Sequence, residues 1–224
     1  MGEPIVLALA QIIAMTALLA GERAPATSPV IPRMVKVVFR YESSKIKPDS
    51  YAAIPRTLYR WGVECGRLEE PPDVPRNLHA LVIVQGRDCW MINLAARAGR
   101  HIIDPGPTFN FHASVFARAG APESLRALEF GREMDYIRER DLKPLGIVGI
   151  GDVKCEHYRV DAEGTDVTIY MRIDRNVPYM LRIRSPGDDY AIRYDQWEEL
   201  DAIPELFQPP SGITIEEPKR PVER

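Results

Sequence analysis

The feature that most constrains this chain is the repeated alternation of apolar and polar residues over short stretches separated by turn signals. Val35, Val37, Phe39 and Tyr41 are interleaved with Lys36, Val38 and Arg40, and a period of two places each set on one face of a strand. From Thr57 to Glu69 the pattern recurs, with Tyr59, Trp61 and Val63 alternating with Arg60, Gly62 and Glu64. Further strands are expected at 79–84, 89–94, 100–104, 151–160, 166–174, 179–184 and 190–197. Turn residues such as Gly86-Arg87, Glu163-Gly164 and Pro186-Gly187 lie between them. The later connections are too short for a parallel crossover, so the pairing should be antiparallel. Pro122 to Leu142 has helical composition, with Leu125, Leu128, Met134 and Ile137 at helical spacing and Gly131 dividing it. The expected fold is mainly β with an α cover: a strongly curved, mostly antiparallel sheet, or incomplete β-barrel, with short helices over its concave face.

The N-terminal residues set the address. An apolar run from Ile5 to Ala20 precedes the small, polar and proline-containing Gly21 to Pro29. Its length is below the roughly 20 residues that span a bilayer, and Ala20, Ala24 and Ala26 offer cleavage points. Residues 1–24 are therefore read as a signal peptide and the mature protein as periplasmic, although Glu3 and the lack of an early Lys or Arg are atypical. A linker follows over 25–33, a single β domain over 34–215 and a charged, flexible tail over 216–224.

Composition excludes some functions. A formal net charge of -3 with dispersed Lys and Arg lacks the basic footprint of a nucleic-acid binder. Cys65, Cys89 and Cys155 have no metal-site spacing. They allow at most one disulfide, and alternation sends Cys65 and Cys89 to opposite faces. The grouping His101, Asp104 and His112 is open to an acid/base or hydrolytic reading. Asp104-Pro105-Gly106 also reads as a turn, and no nucleophile motif accompanies it. Gly146 to Gly151 has no helix behind it to cradle a phosphate and reads as a linker. No catalytic residue, metal or cofactor is expected.

The stretch Asp174-Arg175-Asn176-Val177-Pro178-Tyr179, followed by Tyr194-Asp195-Gln196-Trp197 and the finish Phe207-Gln208-Pro209-Pro210-Ser211-Gly212, resembles the LolA/LolB-type lipoprotein carrier superfamily. This resemblance covers about fifty residues and implies a sheet closed by helices over an apolar cavity. It further implies carriage of a lipid, a lipoprotein acyl chain or another apolar ligand, with a lipid or acylated protein, or an envelope protein, as partner. Residues 21–33 are too short and proline-broken to be expected to form the family's long leading helix, and none of its cargo-holding positions carries over. From the alternation alone, Phe39, Trp61, Val63, Trp90, Ile92, Met171 and Leu181 are the candidate lining of such a cavity. The alternative is a filled core in a non-enzymatic envelope interaction or scaffold protein.

Overall fold

A computed structural model describes residues 33–116 and 122–218; the expected signal peptide lies outside them, as do 25–32 of the linker. The strands are β1 (Met34–Glu42), β2 (Arg56–Trp61), β3 (Cys65–Glu69), β4 (Ala80–Gln85), β5 (Asp88–Asn93) and β6 (Ala98–Ile103). After the short helices α1 (Glu123–Arg126) and α2 (Glu133–Glu139) come β7 (Gly146–Ile150), β8 (Val153–Ala162), β9 (Thr165–Arg172), β10 (Val177–Ser185), β11 (Asp188–Leu200) and β12 (Thr214–Glu216). Hydrogen bonding links them as one sheet in the order β12-β6-β5-β4-β3-β2-β1-β11-β10-β9-β8-β7. The sheet is mostly antiparallel, with β12 parallel to β6. Its two ends are β12 and β7, so it is not closed into a barrel.

Turn chemistry explains the register. Glu163 and Gly164 both have positive φ, 50° and 79°, which suits a two-residue hairpin between the paired Ala162 and Thr165. Gly62, with φ of 61°, breaks the expected 57–69 strand into β2 and β3. The alternation runs on through that turn, so Val63 falls in a loop. Gly146 to Ile150 forms strand β7, not the linker its glycines suggest.

The described residues form two compact units. In the unit containing Lys36–Thr57 and His112–Glu198, Val37, Phe39, Val167, Ile169, Leu181, Ile183 and Ile192 are buried. Leu181 pairs with both Ile169 and Ile192, so these three share a face. The segment carrying α1 and α2 supplies the cover: Phe130 stacks on Phe39 at 4.0 Å between ring centroids, and Leu125 and Leu128 are buried. The helices are only one and two turns long, divided at Gly131, whose φ is 80°.

The other unit contains Leu58–Phe111 and Glu199 onward. On one face Met34, Leu81, Ile83 and Ile92 surround Phe207, which a 3-10 turn at Pro204–Phe207 presents. Trp61 and Trp90 pack against this cluster. On the opposite face Phe111 lies so close to Gly66 that a Cβ there would stand 2.1 Å from its ring. Arg60 caps that ring at 4.9 Å and donates to the Phe111 carbonyl at 3.1 Å.

Replacing a buried Phe by Ala costs about 3–5 kcal/mol. Phe130→Ala and Phe207→Ala are each expected to lose that much in urea unfolding followed by circular dichroism, whereas Val63→Ala, in the exposed turn, should change stability by less than about 0.5 kcal/mol.

Candidate functional site

The candidate lining residues do not form one constellation within either unit. Phe39, Met171 and Leu181 belong to the first unit and are buried against its own side chains. Trp61, Trp90 and Ile92 belong to the second, where Trp61 lies 6.0 Å from Phe207. Val63 is 51% exposed.

The first unit has a groove of about 370 Å³ on the side of the sheet opposite Phe39. Between Pro178 and Met180 the register of β10 against β9 shifts, so Tyr179 is the extra residue of a bulge, a device that re-aims a side chain. Arg193 lies over the Tyr179 ring at 4.0 Å and Arg172 at 5.9 Å, a cation–π arrangement. Asp174 fixes Arg172 from both oxygens, accepting at 2.9 and 2.7 Å. This pairing holds the Asp174 carboxyl below its ordinary range and raises Arg172. Arg175, Gln196, Trp197 and Glu198 complete the walls, and Arg40 pairs with Asp195. The buried indole Nε1–H of Trp197 finds no acceptor among the described residues. Such a surface offers guanidinium groups and aromatic rings, which suit a polar or aromatic partner better than an acyl chain. In the sequence Tyr179 and Trp197 stand at the ends of expected strands and within the family resemblance, and the bulge that aims Tyr179 has no signature in period-two counting.

The histidines separate into structural contacts. His101 stands between Asp88, 2.8 Å from Nε2, and Glu217, 2.7 Å from Nδ1, and stacks on Trp90 at 4.9 Å. Burial alone disfavours its imidazolium, but Glu217 and Asp88 outweigh that, and the net shift is upward. Asp104 instead accepts from the Gly106 amide at 2.9 Å, capping the turn expected there. His112 lies in the other unit, 2.6 Å from Glu129. Glu133 is fully buried and accepts from the Tyr194 hydroxyl and, at 3.1 Å, from the Gly131 amide. Burial and the adjacent Glu133 push the Tyr194 phenol far up. Among the described residues no group of three or more His, Cys, Asp or Glu is arranged to hold a metal ion. All three cysteines are free, with Cys65 and Cys89 in neighbouring rows that face opposite sides. Burial, with Asp104 nearby, pushes the Cys89 thiol up to about 11.

No family model matches the chain, and no curated protein matches it either. Solved structures do. An uncharacterized conserved protein from Thermus thermophilus is similar at 8% identity over 84% of this chain and 92% of its own, with a TM-score of 0.49. MucB in complex with MucA(peri) is similar at 11% identity over 82% of this chain and 57% of its own, with a TM-score of 0.41. The LolA superfamily protein NE2245 from Nitrosomonas europaea is similar at 11% identity over 81% of this chain and 91% of its own, with a TM-score of 0.33. At these TM-scores the likenesses carry no weight in assigning a function. No helix among the described residues is long and apolar enough to cross a membrane.

Two outcomes follow from the protonation chemistry. Because the folded His101 pKa is raised above the free value of about 6.5, its stabilising contribution is complete below that pH and is lost as pH rises through the folded value. The melting-temperature gap between wild type and His101→Gln should therefore be widest near about pH 5.5 and shrink toward about pH 9. Cys89, buried and with a raised thiol pKa, should resist alkylation at pH near about 8 in the native protein and react on unfolding, as counted by mass spectrometry.

Proposed function

We propose that this chain is an exported, non-enzymatic binding protein of the cell envelope that engages a protein partner through the groove around Tyr179. The observation that carries this reading is the occupancy of the apolar faces. Phe130 lies on Phe39 in one unit, and Phe207 fills the Met34, Leu81, Ile83 and Ile92 cluster in the other. Side chains of the chain itself cover both of these apolar faces. The groove, by contrast, presents Arg172 and Arg175 beside Tyr179 and Trp197, with Arg193 stacked over the Tyr179 ring. An extended segment carrying carboxylates or aromatic groups matches that chemistry. Export rests on the apolar run from Ile5 to Ala20.

Carriage of a lipid, a lipoprotein acyl chain or another apolar ligand requires Phe130 or Phe207 to leave its seat. Burial of acyl surface is worth about 25 cal/mol per Å², while the vacated Phe site costs about 3–5 kcal/mol. The two readings separate by mass spectrometry of an organic extract of the protein purified from its host envelope without detergent. A clean extract, no uptake of a fluorescent fatty-acid analogue by the folded protein, and a photo-crosslink to an envelope protein from a reactive residue at position 196 are expected. A stoichiometric lipid in the extract overturns the proposal and establishes carriage.

A further inference from the structure

We infer that β7 is a self-pairing edge and that two copies of this chain join through it as an antiparallel dimer. As one end of the strand order among the described residues, β7 presents a row of backbone groups outward. Natural edge strands are usually protected by charge, proline or covering segments. Here the strand reads Gly146-Ile147-Val148-Gly149-Ile150, with no charge and no proline. Ile147 is 65% exposed and Leu145, immediately before the strand, is 62% exposed, while Val148 and Ile150 are half-buried.

The backbone geometry decides which groups are available. Ile150 pairs with Val153 across the two-residue Gly151-Asp152 turn, and such a turn is closed by a hydrogen-bonded pair. Hydrogen-bonded pairs alternate, so Val148 opposite Cys155 is the next one. The N–H and C=O groups of Ile147 and Gly149 therefore point away from β8, toward the open edge.

The occupant is argued from the strand's own sequence. Antiparallel pairing about a two-fold axis through Val148 sets Ile147 against the partner's Gly149 and Gly146 against the partner's Ile150. Every bulky aliphatic meets a glycine, and Val148 meets its own copy. The outward groups of Ile147 exchange both hydrogen bonds with those of the partner's Gly149, and the two-fold axis repeats the exchange. The exposed Ile147 of each copy thus lies over the partner's Gly149. No like charges meet across this register. An unrelated strand has no reason to carry the reciprocal glycine spacing; a second copy does by construction.

The test is sedimentation equilibrium of the protein purified from its host, run with Ile147→Lys and Gly149→Pro. Wild type should show a concentration-dependent monomer–dimer equilibrium. Lysines brought together at the edge, or loss of the outward Gly149 N–H, should weaken it by at least about tenfold without lowering the melting temperature. Since the Val148 pair is non-hydrogen-bonded across the axis, its Cα atoms should approach to about 4.5 Å, within disulfide range. Val148→Cys in a Cys155→Ala background should thus form an intermolecular disulfide under mild oxidation. A protein that stays monomeric at high concentration overturns the inference, as does a dimer indifferent to Ile147→Lys with no crosslink at 148. Slow hydrogen exchange of the Ile147 and Gly149 amides in the monomer overturns it as well, because another segment then occupies the edge.

Discussion

A strand can bury only one side chain in two on a given face, and a sheet this broad must find something other than strands to cover what it buries. In this protein that constraint is met mainly by single aromatic residues set on short non-strand segments. Phe130 sits on Phe39 from the loop between α1 and α2, and Phe207 enters its cluster from a 3-10 turn. Phe111, whose amide N–H donates a hydrogen bond of 2.8 Å to the Val63 carbonyl, covers the Gly66 side. Long helices are unnecessary because each aromatic ring replaces a turn or more of aliphatic cover. The same arrangement leaves a face of the first unit open, and there the side chains are Arg172, Tyr179 and Arg193.

Polar burial is local and paired in the same spirit. Glu133 at the head of α2 is out of water, and the Tyr194 hydroxyl and Gly131 amide supply its hydrogen bonds. This ties the cover to β11 in a way apolar contact alone does not, since a hydrogen-bonded buried carboxylate has one satisfactory geometry while an aliphatic surface tolerates sliding. His101 does the equivalent for the last strand, drawing Glu217 back to β5 through Asp88. The histidine and carboxylate groups thus serve to hold segments in place.

Much of this was legible in the residues. Alternation located β1, β8, β9, β10 and β11 to within a few positions, because each carries several in-phase apolar residues and most end at a glycine or proline turn. It failed where phase continues across a turn, as at Gly62, which left Val63 on the wrong side of a loop. It failed again where a strand lacks alternation: β7 mixes glycines with aliphatics, and β12 has only three residues. The candidate site was less legible. Phe39, Met171, Leu181 and Ile92 are buried, but whether an interior is hollow or filled depends on where Phe130 and Phe207 land, and those contacts join segments far apart in the chain. Tyr179 owes its position to a bulge, an insertion in register that exists only relative to the neighbouring strand.

The stacking of Trp90 on His101, at 4.9 Å and 13° between ring planes, gives the second unit a built-in optical gauge. A protonated imidazole in van der Waals contact quenches indole emission far more than a neutral one. The emission of Trp90 thereby follows the protonation of the imidazole held between Asp88 and Glu217, in the unit that does not carry the Trp197 groove.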